Sequence, residues 1–274
     1  MKLNTINAIF KFTLLEVVRT RLWMFAIAIA VMVGALAEFS ASLAITESFE
    51  YRMVTYATII RLAAVFIIAL FVTSSVSRDF DDGVFELLVS RPVSRATWYL
   101  SKQLGYFVAA LLFSAICILP MVYFNRSHGF SVGTFGMHLF VWWLSFFAEL
   151  CIVVAASVAM AITLRNTTIA ISGVLSFYVL SRVVSALVLM SARAATDIAR
   201  PANQFIANGV QGLSYLLPDL SRFANPAWLI SANNTELGLG IGFASDINYV
   251  LVQVLIYCLV LSSIGLFDLY RRNV

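Results

Sequence analysis

Six apolar stretches, each about 20 residues or longer, divide this chain of 274 residues, and nearly all of its charge falls between them. They run from about Leu22 to Leu43, Val54 to Val76, Leu104 to Phe124, Met137 to Leu164, Thr168 to Met190 and Ile247 to Leu266. A helix of roughly 20 apolar residues crosses a hydrocarbon core, so each stretch predicts a transmembrane span. The fourth is long enough to tilt. The residues ahead of the first span, 1–21, follow a different pattern. Leu3, Ile6, Phe10, Leu14 and Val17 step by threes and fours along one helical face, broadened by Phe12 and Leu15. Lys2, Thr5, Lys11, Glu16 and Arg19 lie off that stripe. This predicts a helix lying in the membrane interface. The competing reading is a cleaved signal peptide ending near Ala35-Leu36-Ala37, but the leading region is too long and too patterned, and the apolar run continues past that site.

Composition sharpens the class. The chain is 61% hydrophobic and 12% charged, against about 45–50% and about 25% in soluble domains. The expected fold is therefore an all-α integral membrane protein, one domain over 1–274, with six transmembrane helices behind an interfacial N-terminal helix. The formal net charge of +4 is modest, and the basic residues gather at span ends instead of on one face, which argues against a nucleic-acid partner. Cys117, Cys151 and Cys258 fall inside apolar runs without CxxC or Cys/His spacing, so neither a disulfide framework nor a zinc site is indicated.

Lysine and arginine placement sets the orientation. With the N-terminus in the cytoplasm, Lys2, Lys11, Arg19, Arg21, Arg78, Arg91, Arg95, Lys102, Arg165, Arg271 and Arg272 lie inside. Arg52, Arg126, Arg193, Arg200 and Arg222 lie outside, three of them in the long loop 191–246, where the rule is weak. Both termini are expected inside, in a plasma membrane. The turn Arg165-Asn166-Thr167 is tight and predicts an antiparallel pair of the fourth and fifth spans. Loop 191–246 carries Pro201, Pro218, Pro226 and an apolar pattern, which suggests short helices capping the bundle or dipping into the outer leaflet.

The densest charge lies between the second and third spans, from Arg78 to Lys102. Asp81 or Asp82 can cap a helix N-terminus, where a carboxylate meets free N–H groups and the positive dipole end. Phe85, Leu88 and Val89 then form an apolar stripe, Pro92 stops the helix, and Ser94 can cap the next. A short amphipathic helix held by two spans makes a rigid knob suited to docking in a groove of a cytosolic partner. The plainer reading is a solvated connector with Trp98 and Tyr99 as interfacial anchors.

Other candidate chemistry is sparse. No GxxxxGK[ST] phosphate loop is present, and Gly238-Leu239-Gly240-Ile241-Gly242 has the glycines without the lysine. No HExxH or GxSxG supports an intramembrane enzyme, and His128 and His138 sit at span ends. Asn125-Arg126-Ser127 and Asn233-Asn234-Thr235 match glycosylation acceptors, which matter only in a eukaryotic secretory membrane. Glu38, Arg61, Glu149 and Arg182 fall within spans, where charge is costly. Mutual pairing that fixes helix packing, for instance Glu38 with Arg61, is the first expectation. The alternative is that Arg61 and Arg182 face a translocation path and attract an anionic group. Ala155 and Ala159, Ser172 and Ser176, and Ser181 and Ser185 are small residues four apart that permit close helix approach.

Asp82-Gly83, Glu86-Leu87-Leu88, Pro92-Val93-Ser94-Arg95 and Lys102 resemble the loop between the second and third spans of ABC-2 type transporter permeases. Glu16-Val17-Val18-Arg19-Thr20-Arg21 resembles that family's elbow helix. Val84 stands where Thr is common after the glycine, and Ser101 where Gly is common before the lysine. The resemblance implies a non-catalytic membrane subunit, driven by a separate cytosolic ABC ATPase that uses ATP and Mg. This chain itself would bind no cofactor. It implies a homodimer or heterodimer of permeases among membrane lipids, in a bacterial inner membrane. Asp81, Asp82, Glu86, Leu87, Leu88, Arg91, Pro92 and Arg95 would couple to the ATPase. The second and fifth spans would line the dimer interface, which raises the standing of Arg61 and Arg182 as path residues, with Glu38 and Glu149 as further candidates. The expected cargo is a lipid, an amphiphile or another hydrophobic compound, exported. An ATP-independent channel or secondary carrier, or a membrane scaffold, is the alternative.

Overall fold

The computed structural model describes residues 2–44, 48–83, 94–128, 132–164, 166–195, 208–209, 211–213, 216–224 and 241–271. These are almost wholly helical: α1 (Lys2–Arg19), α2 (Leu22–Leu43), α3 (Ser48–Asp81), α4 (Arg95–Cys117), α5 (Leu119–His128), α6 (Val132–Thr163), α7 (Thr167–Ala195), a 3-10 turn (Arg222–Ala224) and α8 (Ile241–Arg271). Among the described residues, six helices are long and apolar enough to cross a membrane, with α4 and α5 counting as one broken span. α1 is not among them. The end where α2 begins, α3 ends and α4 begins is called the near end below.

The bundle is built around α6. Its apolar window is 83% buried, against 11% for α8 and 28% for α7, and α3, α4, α7, α8 and the 3-10 turn all pack on it. α6 carries Ser145, Glu149 and Ser157, and polar groups within a span are kept against other helices and away from lipid, which holds this helix at the centre. Ser157 sits in that centre and returns its hydroxyl to the Val153 carbonyl. α2 instead packs on α3 through Ala26, Ala30, Val33, Ala37 and Ala41, a small-residue stripe that brings the backbones close. α6 and α7 are joined at Asn166, whose side chain accepts from the Thr168 and Ile169 N–H groups. This side chain caps α7 within the tight turn expected at 165–167.

The helix ends follow local chemistry. α3 runs beyond the predicted span to Asp81, and Gly83 then takes φ +67°, its N–H reaching the Phe80 carbonyl. Only glycine adopts that conformation at little cost. Asp81 therefore closes α3, and Asp82 lies in the turn behind it. Of the two expected caps, Asp81 or Asp82, Asp81 is thus taken up by the end of α3, and the helix that Asp82 would cap lies outside the described residues. Ser94 caps α4 as expected, accepting from the Thr97 N–H at 3.2 Å. The third span breaks at Ile118, ahead of Pro120, whose ring nitrogen has no hydrogen to donate. The Cys117 carbonyl instead accepts from the Tyr56 hydroxyl at 2.6 Å.

α1 meets α2 at a sharp elbow. Arg21 takes φ 56°, a left-handed conformation that costs a non-glycine residue about 1–2 kcal/mol. Thr20 steadies the bend by donating its hydroxyl to the Glu16 and Val17 carbonyls. α1 packs on α4 through Ile9, Thr13 and Val17. That face is rotated from the predicted stripe, because the contact selects Thr13 over the larger Phe10 and Leu14. The reason is Gly105 on α4: a Cβ there would lie 2.7 Å from the Thr13 Cβ. Gly105→Val is expected to force α1 off α4 and to lower stability by about 1–3 kcal/mol, the usual range for overpacking. Gly173→Ala, whose added Cβ would meet Met160 at an ordinary 3.7 Å, should leave the detergent-solubilised melting temperature unchanged.

Candidate functional site

Two charged clusters occupy the bundle, one in its middle and one at the near end. The central cluster is built on Glu149 of α6, fully buried. Its Oε2 accepts from Arg61 of α3 at 2.7 Å. Its Oε1 accepts from Arg182 of α7 at 3.1 Å and from the Tyr178 hydroxyl at 2.9 Å. Arg61 also donates to the Trp142 carbonyl and to Ser145, and its guanidinium lies 4.7 Å from the centre of the Trp142 ring. Ser145 passes the network on by donating to the Phe223 carbonyl. Arg182 reaches the Leu220 carbonyl at 3.5 Å, and the Leu220 N–H bonds to the Ser181 carbonyl. Leu217, Leu220 and Phe223 are buried, so this described part of the long loop caps the bundle over the cluster.

These contacts revise the sequence expectation. Arg61 pairs with Glu149, not with Glu38. Glu38 pairs with Arg52 across the α2–α3 connection at 2.6 Å, with more than half of its own side chain exposed. The reason is reach: Arg61 faces inward toward α6, whereas Glu38 lies on the outer surface. Arg61 and Glu149 are 1% and 0% exposed, while Arg182 is 23% exposed. Two guanidinium groups share one carboxylate, so the cluster keeps a formal excess of one positive charge, and Arg182 is its accessible member.

The near-end cluster holds the stems of the 84–93 loop, whose own residues, Glu86, Leu87, Leu88, Arg91 and Pro92 included, lie outside the described residues. Asp79 of α3 binds Lys102 of α4, both almost fully buried. Glu16 of α1 accepts from Arg78 at 2.6 Å and from Ser75, and its other oxygen lies 3.9 Å from Lys102. Ser75 also meets the Tyr106 hydroxyl at 2.8 Å. The Lys102 ammonium lies 5.8 Å from the Trp98 ring and from the Tyr106 ring. Phe80 on the entering stem packs edge-to-face on Trp98 of the leaving stem. Arg95, at the start of α4, donates to the Leu269 carbonyl near the end of α8, at 3.0 Å, and Gln103, next to Lys102, exchanges hydrogen bonds with Ser262 of α8. One short helical segment, Arg95 to Gln103, thus meets α3, α1 and α8 together.

Of the predicted coupling residues, the structure places Asp81, Asp82 and Arg95 at this rim. Glu16, Asp79 and Tyr106, which join them to the elbow, had no role assigned from the sequence. The available signal was opposite charge at matched depth: Asp79 lies three residues past the second predicted span and Lys102 two residues ahead of the third, at the membrane boundary where an unpaired buried charge is costly.

The chain matches the ABC-2 family transporter protein family over residues 16–182, which take in both clusters from Glu16 to Arg182. That is more than half of the chain, and the protein belongs to the ABC-2 transporter family. It is a multi-pass membrane permease of the ABC transporter class, a family that works in general with an ABC ATPase. No curated protein matches the chain.

Removing one partner of a buried ion pair leaves an uncompensated charge, which costs about 3–5 kcal/mol. Glu149→Gln strands Arg61 and is expected to lose that much, read as a large drop in detergent melting temperature and in yield. Arg182→Gln removes the excess, partly exposed charge and should cost less than about 1 kcal/mol.

Proposed function

We propose that this chain is the membrane subunit of an ABC exporter, with both termini cytoplasmic, and that a separate cytosolic ATPase drives it through the 84–93 loop. The observation that carries this reading is the clamping of both loop stems, by Asp79 with Lys102 and by Glu16 with Arg78, into one rigid rim with α1 and α8. A slack connector would absorb a push at the loop. Stems joined by buried ion pairs would pass it to the elbow and to the last span together. These 274 residues carry no GxxxxGK[ST] phosphate loop, and in this reading the energy comes from the ABC ATPase with which the family works in general.

In this mechanism two permease subunits, identical or similar, work with two ATPases. ATP-driven closure of the ATPases moves the loop helix, with Asp82, Glu86, Arg91 and Arg95 meeting the ATPase groove and Leu87, Leu88 and Pro92 shaping the helix. The cargo is a lipid, an amphiphile or another hydrophobic compound. Arg182 is the intramembrane charge best placed to meet an anionic head, because Arg61 and Glu149 are closed off by packing. A bacterial inner membrane is the setting that fits the family.

The test is purification in mild detergent from the native membrane, with and without charge reversal at the loop. Wild-type protein should bring down an ATPase, and Glu86→Lys or Asp82→Lys should lose it while the permease keeps its melting temperature. Retention of the ATPase by both variants would reject the assigned coupling residues. If wild type brings down no ATPase, the channel, carrier or scaffold reading takes over.

A further inference from the structure

We propose that the groove between the near ends of α2 and α3 is a binding site for one anionic phospholipid of the adjoining leaflet. The groove has a volume of about 340 Å³. Its α3 wall is one helical face, Ile67, Leu70, Phe71, Ser74, Ser75 and Arg78, which recur at intervals of three and four. Leu22 and Phe25 of α2 form the opposite wall, and Thr20 of the elbow closes the near end. The chemistry therefore changes along the groove from aliphatic and aromatic, through hydroxyl, to guanidinium. Eleven residues separate Ile67 from Arg78, about 16 Å of helix. Half of a hydrocarbon core is about 15 Å. The apolar-to-cationic gradient thus spans one leaflet, as a phospholipid does from its acyl chains to its phosphate.

The charge at the head of the groove selects the occupant. Arg78 is 54% exposed and spends one terminal nitrogen on Glu16. A guanidinium carries five N–H donors in a fork that matches phosphate oxygens, so donors remain for a headgroup. Arg19 and Arg21 are exposed at the adjoining elbow. The nearest carboxylate, Glu16, is already engaged by Ser75 and Arg78. Asp81, the last residue of α3, and Asp82, in the turn behind it, lie one turn past the guanidinium and so bound the anion on that side. A zwitterionic headgroup brings a choline or ethanolamine cation into the same basic collar and is disfavoured. The site is separate from the Asp79–Lys102 clamp and does not rest on the proposed ATPase coupling.

The experiment is native mass spectrometry of the full chain after delipidation in detergent. Phosphatidylglycerol and phosphatidylcholine of identical acyl chains are added separately, with a melting-temperature scan of each sample. The expected result is one phosphatidylglycerol retained per chain, at least tenfold more strongly than phosphatidylcholine, with a raised melting temperature. Arg78→Gln should bring retention down to the phosphatidylcholine level. Because Arg78→Gln also releases Glu16, Ser74→Phe is the second variant: it fills the groove from an exposed position and should abolish retention of both lipids while the protein stays folded. Equal retention of the two lipids, or unchanged phosphatidylglycerol retention in Ser74→Phe, would overturn the site. So would disulfide-linked dimers formed through Ser74→Cys, since a second copy would then fill the groove. Release of the lipid by ATP in the complex with its ATPase would mark a cargo and overturn a resident lipid.

Discussion

A carboxylate and an ammonium shut away from water cannot separate cheaply, and that constraint at Asp79 and Lys102 shapes the near end of this bundle. The pair joins the last turns of α3 to the first turns of α4, so the two ends of the 84–93 loop keep a fixed spacing. Glu16 adds the elbow helix to the same point, and its hold on Arg78 steadies the bend at Arg21. Arg95 and Gln103, on the same stretch of α4, attach α8. Four helices therefore meet where the sequence alone shows only a charged connector.

α3 links this rim to the central cluster. Arg78 and Arg61 lie on one continuous helix, separated by about 26 Å at 1.5 Å per residue. The rim end is bound to α1 and α4, and the central end to α6 and α7 through Glu149. A stiff helix with charged anchors at both levels is suited to move as a unit, and in the proposed mechanism that unit carries motion from the loop to the middle of the membrane. α6 is the element against which it moves, since nearly every other span rests on it.

The spans, the α1 helix, the Asn166 turn and the Ser94 cap were legible in the sequence, because hydropathy, period and capping act over a few residues. What the sequence leaves open depends on which faces meet. Arg61 finds Glu149 88 positions away, a pairing that follows from α3 packing on α6 and from no local pattern. Glu38 and Arg52 flank one short connection, so their pairing was within reach of a local argument that favoured the deeper Arg61 instead. Hydrophobicity ranks Phe10 and Leu14 above Thr13, so the stripe it draws on α1 is rotated from the packed face, where the close contact at Gly105 rewards a small side chain. Two adjacent carboxylates, Asp81 and Asp82, offer the same cap by pattern alone, and only the positive φ of Gly83 shows that Asp81 belongs to the end of α3.

The central claim is that the clamped stems transmit nucleotide-driven motion to both α1 and α8. The most direct measurement is the distance between spin labels at Val18 on α1 and Phe267 on α8, both exposed, in the complex purified with its ATPase. The account predicts that ATP shifts this distance in the wild-type background and that the shift disappears when Asp79→Asn and Lys102→Met remove the clamp while the ATPase stays bound. A shift that persists unchanged without the pair would contradict it.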